Sequence, residues 1–406
     1  MTRSDRGVRV PRRPRAHRVG LTASTLGLLA CTLMPFATFR TSRIQTGDAV
    51  SSLDALGPVL FGVLVAVWLT VAVLSLREGE RPLSPALRGL AASAALLGTV
   101  ALCEIAAQRL LADAGPFARV SVAAGAWVSI AAAYSLILAS RREVGATRPT
   151  GIVLSTLAPL GVGIMLATGY LGDLAILREY ANQAERFRTE ILAHLTFSAA
   201  AMGVAIALGV LLGTLAFRRP RLKTPIFTVV SVFQTIPGLA MVGLLFAPLS
   251  WLGSNVPALK ALGIGGLGWA PVVTALTLYA LLAVVRNTYA GLAGVPAETV
   301  EAGRGMGMTE AQLMLRVRFP LAMPVIFGGI RTAAVQTLGN ATLGAFVAAG
   351  TLGLFVFGGL SQQATDLIML GSVTLVLLAL LLDGALRVLQ RLVSPRHTAR
   401  SEGATA

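Results

Sequence analysis

The sequence predicts an all-α polytopic membrane protein of about ten transmembrane helices. Three observations carry that fold class. Of 406 residues, 55% are hydrophobic and only 13% are charged, about half the charged share of a soluble domain. Several apolar runs approach or exceed the roughly 18 residues that cross a bilayer. Finally, 34 Lys and Arg against 18 Asp and Glu give a net charge of +16, and that charge gathers between alternate runs. In a soluble chain it would point to nucleic acid. Its alternation follows the positive-inside rule instead, so membrane lipids are expected partners and nucleic acid is not.

Residues 1–18 form a basic segment expected in the cytoplasm. The first span, 19–38, follows it as the apolar part of a signal peptide would. It ends "MPFATFR" without a small-x-small cleavage site, which makes it a retained anchor. Further spans at 54–76, 87–108, 119–140 and 151–173 complete a block of five helices, 19–175, that carries no motif and whose role the sequence does not indicate. Cys31 and Cys103 fall within spans far apart and give neither a disulfide framework nor a metal set. His17, His194 and His397 are scattered. Glu104 is the one deep carboxylate of this block, and an intramembrane ionisable group is a functional candidate by default. Its place near the outer end of its span favours a carboxyl reaching interfacial water over a proton-coupled role.

An external amphipathic linker, 176–192, contains "LREYANQAERFRTEIL", with charges of both signs at helical spacing. Residues 193–390 then hold spans at 193–216, 225–249, 268–286, 321–349 and 367–388, and 391–406 reads as a disordered cytoplasmic tail. With this topology the external segments hold only Arg40, Arg43, Arg109, Arg119, Arg178, Arg186, Arg188 and Lys260 of the basic residues. Both termini are therefore placed in the cytoplasm.

Every distinctive residue lies in the second half. Arg331 and Asp383 sit within spans. Arg331 is about ten residues past Pro320, roughly 15 Å in from the inner side, and Asp383 lies a few ångströms from that face. Helical side chains lean toward the N-terminus, so Arg331 points back toward Asp383, and the two are expected to form a structural pair. Gln234, Thr235 and Pro237 interrupt an apolar span. A freed backbone carbonyl is tolerated in a membrane only where protein or a water-filled cavity satisfies it. These residues either line a translocation path or form a kink packed against neighbours. Asn340 and Thr342, between Gly339 and Gly344, present the same choice between pore lining and close helix packing. Arg286 and Asn287, at the inner end of their span, are read as anchors for the loop that follows.

That loop, 296–320, includes "ETVEAGRGMGMTEAQLMLRVRFP". Pro296 suits a first helical turn, and Glu298 and Glu301 place negative charge near the positive end of the helix dipole. Gly303, Gly305 and Gly307 are expected to break this short helix. Thr309 with Gln312 reads as a capping box that starts a second one, with Leu313, Met314 and Val317 on its apolar side and Arg316 and Arg318 among its polar positions. Pro320 is expected to close it and open the next span. Exposed Met306 and Met308 suit a protein-docking surface.

The loop resembles the E-A-A-x3-G-x9-I-x-L-P pattern of permease subunits of ATP-binding cassette importers. Glu301, Ala302 and Gly303 stand for E-A-A, Gly307 for the spaced glycine, and Val317, Phe319 and Pro320 for I, L and P. "FQTIPGLAMVGLL", "LYALLAVVRNTYAGL", "PLAMPVIFGGIRTA" and "GNATLGAF" narrow the resemblance to the osmoprotectant branch, in a longer subgroup with extra N-terminal spans. Ala283, where a proline is usual, and "AAGTLG" (348–353) depart from it, and the external insert 250–269 is unusual. The resemblance implies a type I importer core in the C-terminal half, with 296–320 as the coupling helix that docks on a cytoplasmic ATPase dimer. It further implies a second permease subunit, a separate extracytoplasmic binding protein, and a cargo such as glycine betaine or choline. Neither lysine, Lys223 nor Lys260, follows a phosphate-cradling glycine run, so ATP and Mg are placed on the partner ATPase and no cofactor on this chain, which would perform no catalysis. A different cargo such as an amino acid, or an ATP-independent secondary transporter in the inner membrane, are the rival readings.

Overall fold

In the computed structural model, residues 17–42, 45–76 and 84–393 are described. Most of the basic N-terminus and the tail from 394 therefore lie outside the described residues. The chain divides into two compact units, residues 1–182 and 183–406. Among the described residues, nine helices are long and apolar enough to cross a membrane, and a shorter apolar helix stands at Arg18–Leu33.

The first unit contains α1 (Arg18–Leu33), α2 (Ser52–Leu76), α3 (Ser84–Leu111), α4 (Ala124–Val144), α5 (Pro149–Ala167) and the short α6 (Ala175–Asn182). A small antiparallel sheet, absent from the sequence expectation, is ordered β2-β1-β3, with β1 at Ala37–Arg40, β2 at Asp48–Val50 and β3 at Arg119–Val122. It shortens the first span, which stops at Leu33, and moves the start of the fourth from 119 to Ala124. Trp68 fills the core with no exposed surface. A Cβ at Gly27 would lie 2.4 Å from its ring, so that glycine lets α1 and α2 meet.

Polar staples hold the ends of this bundle. His17 Nδ1 accepts from Gly20 N at 2.9 Å and caps α1. Its Nε2 therefore carries the proton and faces Glu143 Oε1 at 2.5 Å, while Arg88 pairs with the other oxygen of that carboxylate. Glu104 corrects the sequence expectation. It is 1% exposed and out of reach of interfacial water. Its Oε1 accepts from Gln108 Nε2 at 3.2 Å and from the Asp173 amide at 3.3 Å, tying α3 to the turn before α6.

The second unit contains α7 (Ala184–Arg218), α8 (Pro220–Thr235), α9 (Gly238–Asn255), α10 (Pro257–Ala261), α11 (Trp269–Ala293), α12 (Ala297–Gly305) and α13 (Glu310–Gln312). A π-helical stretch (Leu313–Arg318) leads into α14 (Phe319–Asn340), a 3-10 stretch (Ala341–Val347), α15 (Gly353–Ser361) and α16 (Thr365–Val393). The amphipathic stretch before 193 is split between α6 and the opening turns of α7. No glycine or proline interrupts α7 before Gly203, so its 35 residues run about 52 Å, well beyond the ~30 Å hydrocarbon core.

At the centre of this unit stands α11, two thirds of whose apolar window is buried. Glycines permit its two main crossings. Cβ atoms at Gly209 and Gly213 of α7 would sit 2.7 Å from Val284 Cβ and 2.6 Å from Thr288 Cβ, and one at Gly329 of α14 would sit 2.4 Å from Asn287 Cβ. Four-residue spacing of small residues is the usual device for close helix approach in lipid.

Candidate functional site

Two parts of the second unit carry the candidate residues: a short helical pair between α11 and α14, and a pair of helix interruptions farther along α11.

The helical pair comprises α12, α13 and the π-helical stretch. Pro296 stands at the N-cap of α12 and Glu298 in its first turn. Gly303 lies inside the helix and does not break it, while Gly305 is its last residue. Gly303 is buried, and a Cβ there would meet Leu313 Cδ2 at 2.6 Å; its missing side chain lets the second helix close down on the first. The chain turns at Gly307, whose φ of 78° is costly for any residue with a Cβ. The capping box is present: Thr309 Oγ1 accepts from Gln312 N at 3.3 Å, and Gln312 Oε1 accepts from Thr309 N at 2.9 Å. Arg304 bridges the two helices through Nε and Nη2 to Glu310 Oε1 at 3.0 and 2.8 Å.

Leu313, fully buried, packs with Val300, Leu292, Val295, Ala322 and Ile326, seating the pair on the adjoining ends of α11 and α14. Glu301 and Ala302 are exposed and Met306 is 72% exposed. Met308 differs from expectation: it is half-buried against this cluster, because it follows the Gly307 turn inward. Pro320 does not close the second helix but lies in the first turn of α14. A proline within a helix presses on the carbonyl four residues back. The preceding Leu313–Arg318 stretch is wound as a π-helix, with Phe319 N donating to Met314 O, and its wider turn accommodates the ring.

The interruptions lie at 236–238 and 340–347. Proline at 237 ends α8 and starts α9. Gln234 Nε2 donates to Tyr279 O at 2.8 Å, and Tyr279 Oη donates back to Ile236 O at 2.7 Å. The break's polar groups are thus satisfied by α11, while Thr235 Oγ1 turns back to Val232 O at 2.8 Å on its own helix. Asn340 ends α14, and Thr342 Oγ1 donates to Gly339 O at 2.9 Å as the chain tightens into the 3-10 stretch. The two breaks meet: a Cβ at Gly238 would lie 2.5 Å from Leu343 Cδ1, and Phe233, Ile236, Met241, Tyr279, Ala341 and Leu343 share one apolar cluster.

Elsewhere, Arg331 Nε donates to Asp383 Oδ1 at 2.5 Å, and Arg387 reaches Asp383 Oδ2 at 2.6 Å. Arg286 is exposed. Asn287 bonds back to Ala283 O at 2.8 Å and packs on Gly329, so it serves the α11–α14 crossing and not the loop. The loop is tied instead by Arg318, whose Nη1 donates to Leu292 O at 3.3 Å. Tyr279 and Arg387 carry no motif of their own in the sequence, and Arg318 reads there only as a polar position of the second helix. Tyr279 is visible only as the aromatic of "LYALLAVV", ten residues before Tyr289.

A family model described as the inner membrane component of binding-protein-dependent transport systems matches residues 205–398. One described as the N-terminal domain of the ABC transporter permease YehY matches residues 16–177. The osmoprotectant import permease protein OsmW of Salmonella typhimurium is 40% identical over 203 residues, 50% of this chain and 89% of that protein. The chain belongs to the permease subunits of ABC importers. Similar to this permease are also the carnitine transport permease protein OpuCB of Listeria monocytogenes, 36% identical over 55% of this chain and 94% of that protein, and the choline transport system permease protein OpuBB of Bacillus subtilis, 35% identical over 50% and 86%. A solved structure of the MetNI methionine ABC transporter aligns at 22% identity over 53% of this chain and 99% of that chain, with a TM-score of 0.45.

Proposed function

We propose that this permease carries a small quaternary-ammonium compatible solute, such as glycine betaine, choline or carnitine, across the bacterial cytoplasmic membrane. A separate binding protein delivers the solute outside. Two permease subunits, this chain with itself or with a shorter relative, enclose the path, and a separate ATPase dimer drives alternating access. ATP and Mg belong to that dimer, and this chain makes and breaks no covalent bond. Residues 297–318 are the handle on which the ATPase pulls. Exposed Glu301, Ala302 and Met306 supply its contact surface, and buried Leu313 anchors it to α11 and α14. The breaks at 236–238 and 340–347 border the path. Both termini lie in the cytoplasm.

The observation that carries the cargo is that relatives named for osmoprotectants, carnitine and choline match this chain over nearly their whole lengths, 86% to 94%. The test is uptake into vesicles that contain the permease with its ATPase and binding protein. Labelled glycine betaine, choline, carnitine and methionine are offered in turn. ATP-dependent uptake of one of the first three is expected. ATP-dependent uptake of methionine alone would replace the cargo, and uptake without ATP would remove the importer reading.

A further inference from the structure

The base of the second unit carries a run of edge-to-face rings and cations that the proposed function does not use. Arg318, at the end of the π-helical stretch, holds its guanidinium carbon 4.9 Å from the centre of the Phe217 ring at the foot of α7. Phe217 meets Tyr289 of α11 edge-on at 6.4 Å. Tyr289 meets Phe227 of α8 edge-on at 5.6 Å, and Lys223 of α8 sits 4.7 Å over the Tyr289 ring. Cations over ring faces and edge-to-face rings are directional contacts. They resist sliding in a way that apolar packing does not.

The other end of α8 is also held to α11, by the reciprocal hydrogen bonds between Gln234, Ile236 and Tyr279. Tyr279 and Tyr289 are ten residues apart, about 15 Å along α11. Contacts at two levels that far apart restrain both sliding and rotation of α8 on α11.

We infer that Arg318, Phe217, Tyr289 and Lys223 are positioning residues that transmit the movement of the 297–318 handle to the break at 236–238, with α8 and α11 as the lever. This rests on the proposed role of 297–318 as the handle and adds the route by which its motion reaches the path. Spatial continuity is not coupling in itself, so the test must read coupling.

The measurement is the number of glycine betaine molecules imported per ATP hydrolysed by the whole reconstituted importer, with ATPase retention and thermal stability recorded alongside. Tyr289→Leu removes the ring, and Tyr289→Phe keeps it. Tyr289→Leu should retain the ATPase subunits and hydrolysis while cargo moved per ATP falls about fivefold or more, the scale of an ordinary coupling energy. Tyr289→Phe should stay near wild type, because phenylalanine still receives Lys223 and the two phenylalanines. Lys223→Met should lower the ratio in the same direction, and adding it to Tyr289→Leu should cause little further loss, as expected for one shared contact.

An unchanged ratio in Tyr289→Leu would overturn the inference, as would a loss that Tyr289→Phe shares equally. Should Tyr289→Leu fail to assemble, Lys223→Met decides the matter: a wild-type ratio there overturns the proposal and a lowered one supports it. The wild-type arm tests the underlying reading separately, since absence of ATP-driven uptake there would sink the proposed function before any variant is considered.

Discussion

Asp383 shows how a single residue's position follows from helix geometry. Counting rise per residue places it nearer the inner face than Arg331, the arginine's backward lean closes the gap, and the pair lies at 2.5 Å. The same count does not reveal Arg387, which shares the carboxylate from one turn further along α16. Both members of the Arg331–Asp383 pair are mostly screened from solvent, with side-chain exposures of 29% and 21%. Removing the carboxylate therefore leaves an uncompensated guanidinium. Asp383→Asn should destabilise the protein by about 1–3 kcal/mol, below the cost of breaking a fully buried pair because the site is partly open. A thermal unfolding scan of the purified protein should show a lowered midpoint, and an unshifted one would remove the structural role. Glu104 and Met308 were misjudged at this scale for one reason. Each depends on where a turn directs the chain: Glu104 accepts from the distant Asp173 amide, and Met308 follows the Gly307 reversal onto the cluster around Leu313.

At the scale of elements, the apolar runs located the helices well because length and hydropathy are local properties. Their ends were less legible. The strands at 37–40, 48–50 and 119–122 are three or four residues long, too short for an alternation to register, and pair across separations as wide as that from Ala37 to Val122. Nor does composition announce that the helix runs through Gly303 to end at Gly305, or that the chain winds as a π-helix ahead of Pro320. The glycines of α7 are different, since Gly209 and Gly213 repeat at a spacing that marks close approach. Gly213→Val should push α7 from Thr288 and Val285 of α11 and cost about 1–3 kcal/mol by overpacking. Gly203→Val, on the same helix with open space around it, should leave the unfolding midpoint close to wild type. Equal midpoints for the two variants would show that the crossing is not tightly packed.

At the scale of the whole molecule, the chain joins a unit matching a permease core to one matching an N-terminal permease domain. The core's identity was readable because its motifs place charge, glycine and proline at fixed intervals that the fold then uses: Glu301 outward, Gly303 against Leu313, Pro320 after a widened turn. The first unit carries polar staples instead of such intervals, so the sequence does not spell out its task. The central claim is that 297–318 is the handle by which ATP hydrolysis moves this permease. The most direct measurement compares ATP-driven glycine betaine uptake by the intact importer with that of Glu301→Lys, whose exposed position leaves the helical pair's packing untouched. The account predicts that the variant inserts and unfolds like wild type but loses ATPase attachment and uptake together; full attachment and full uptake in the variant would contradict it.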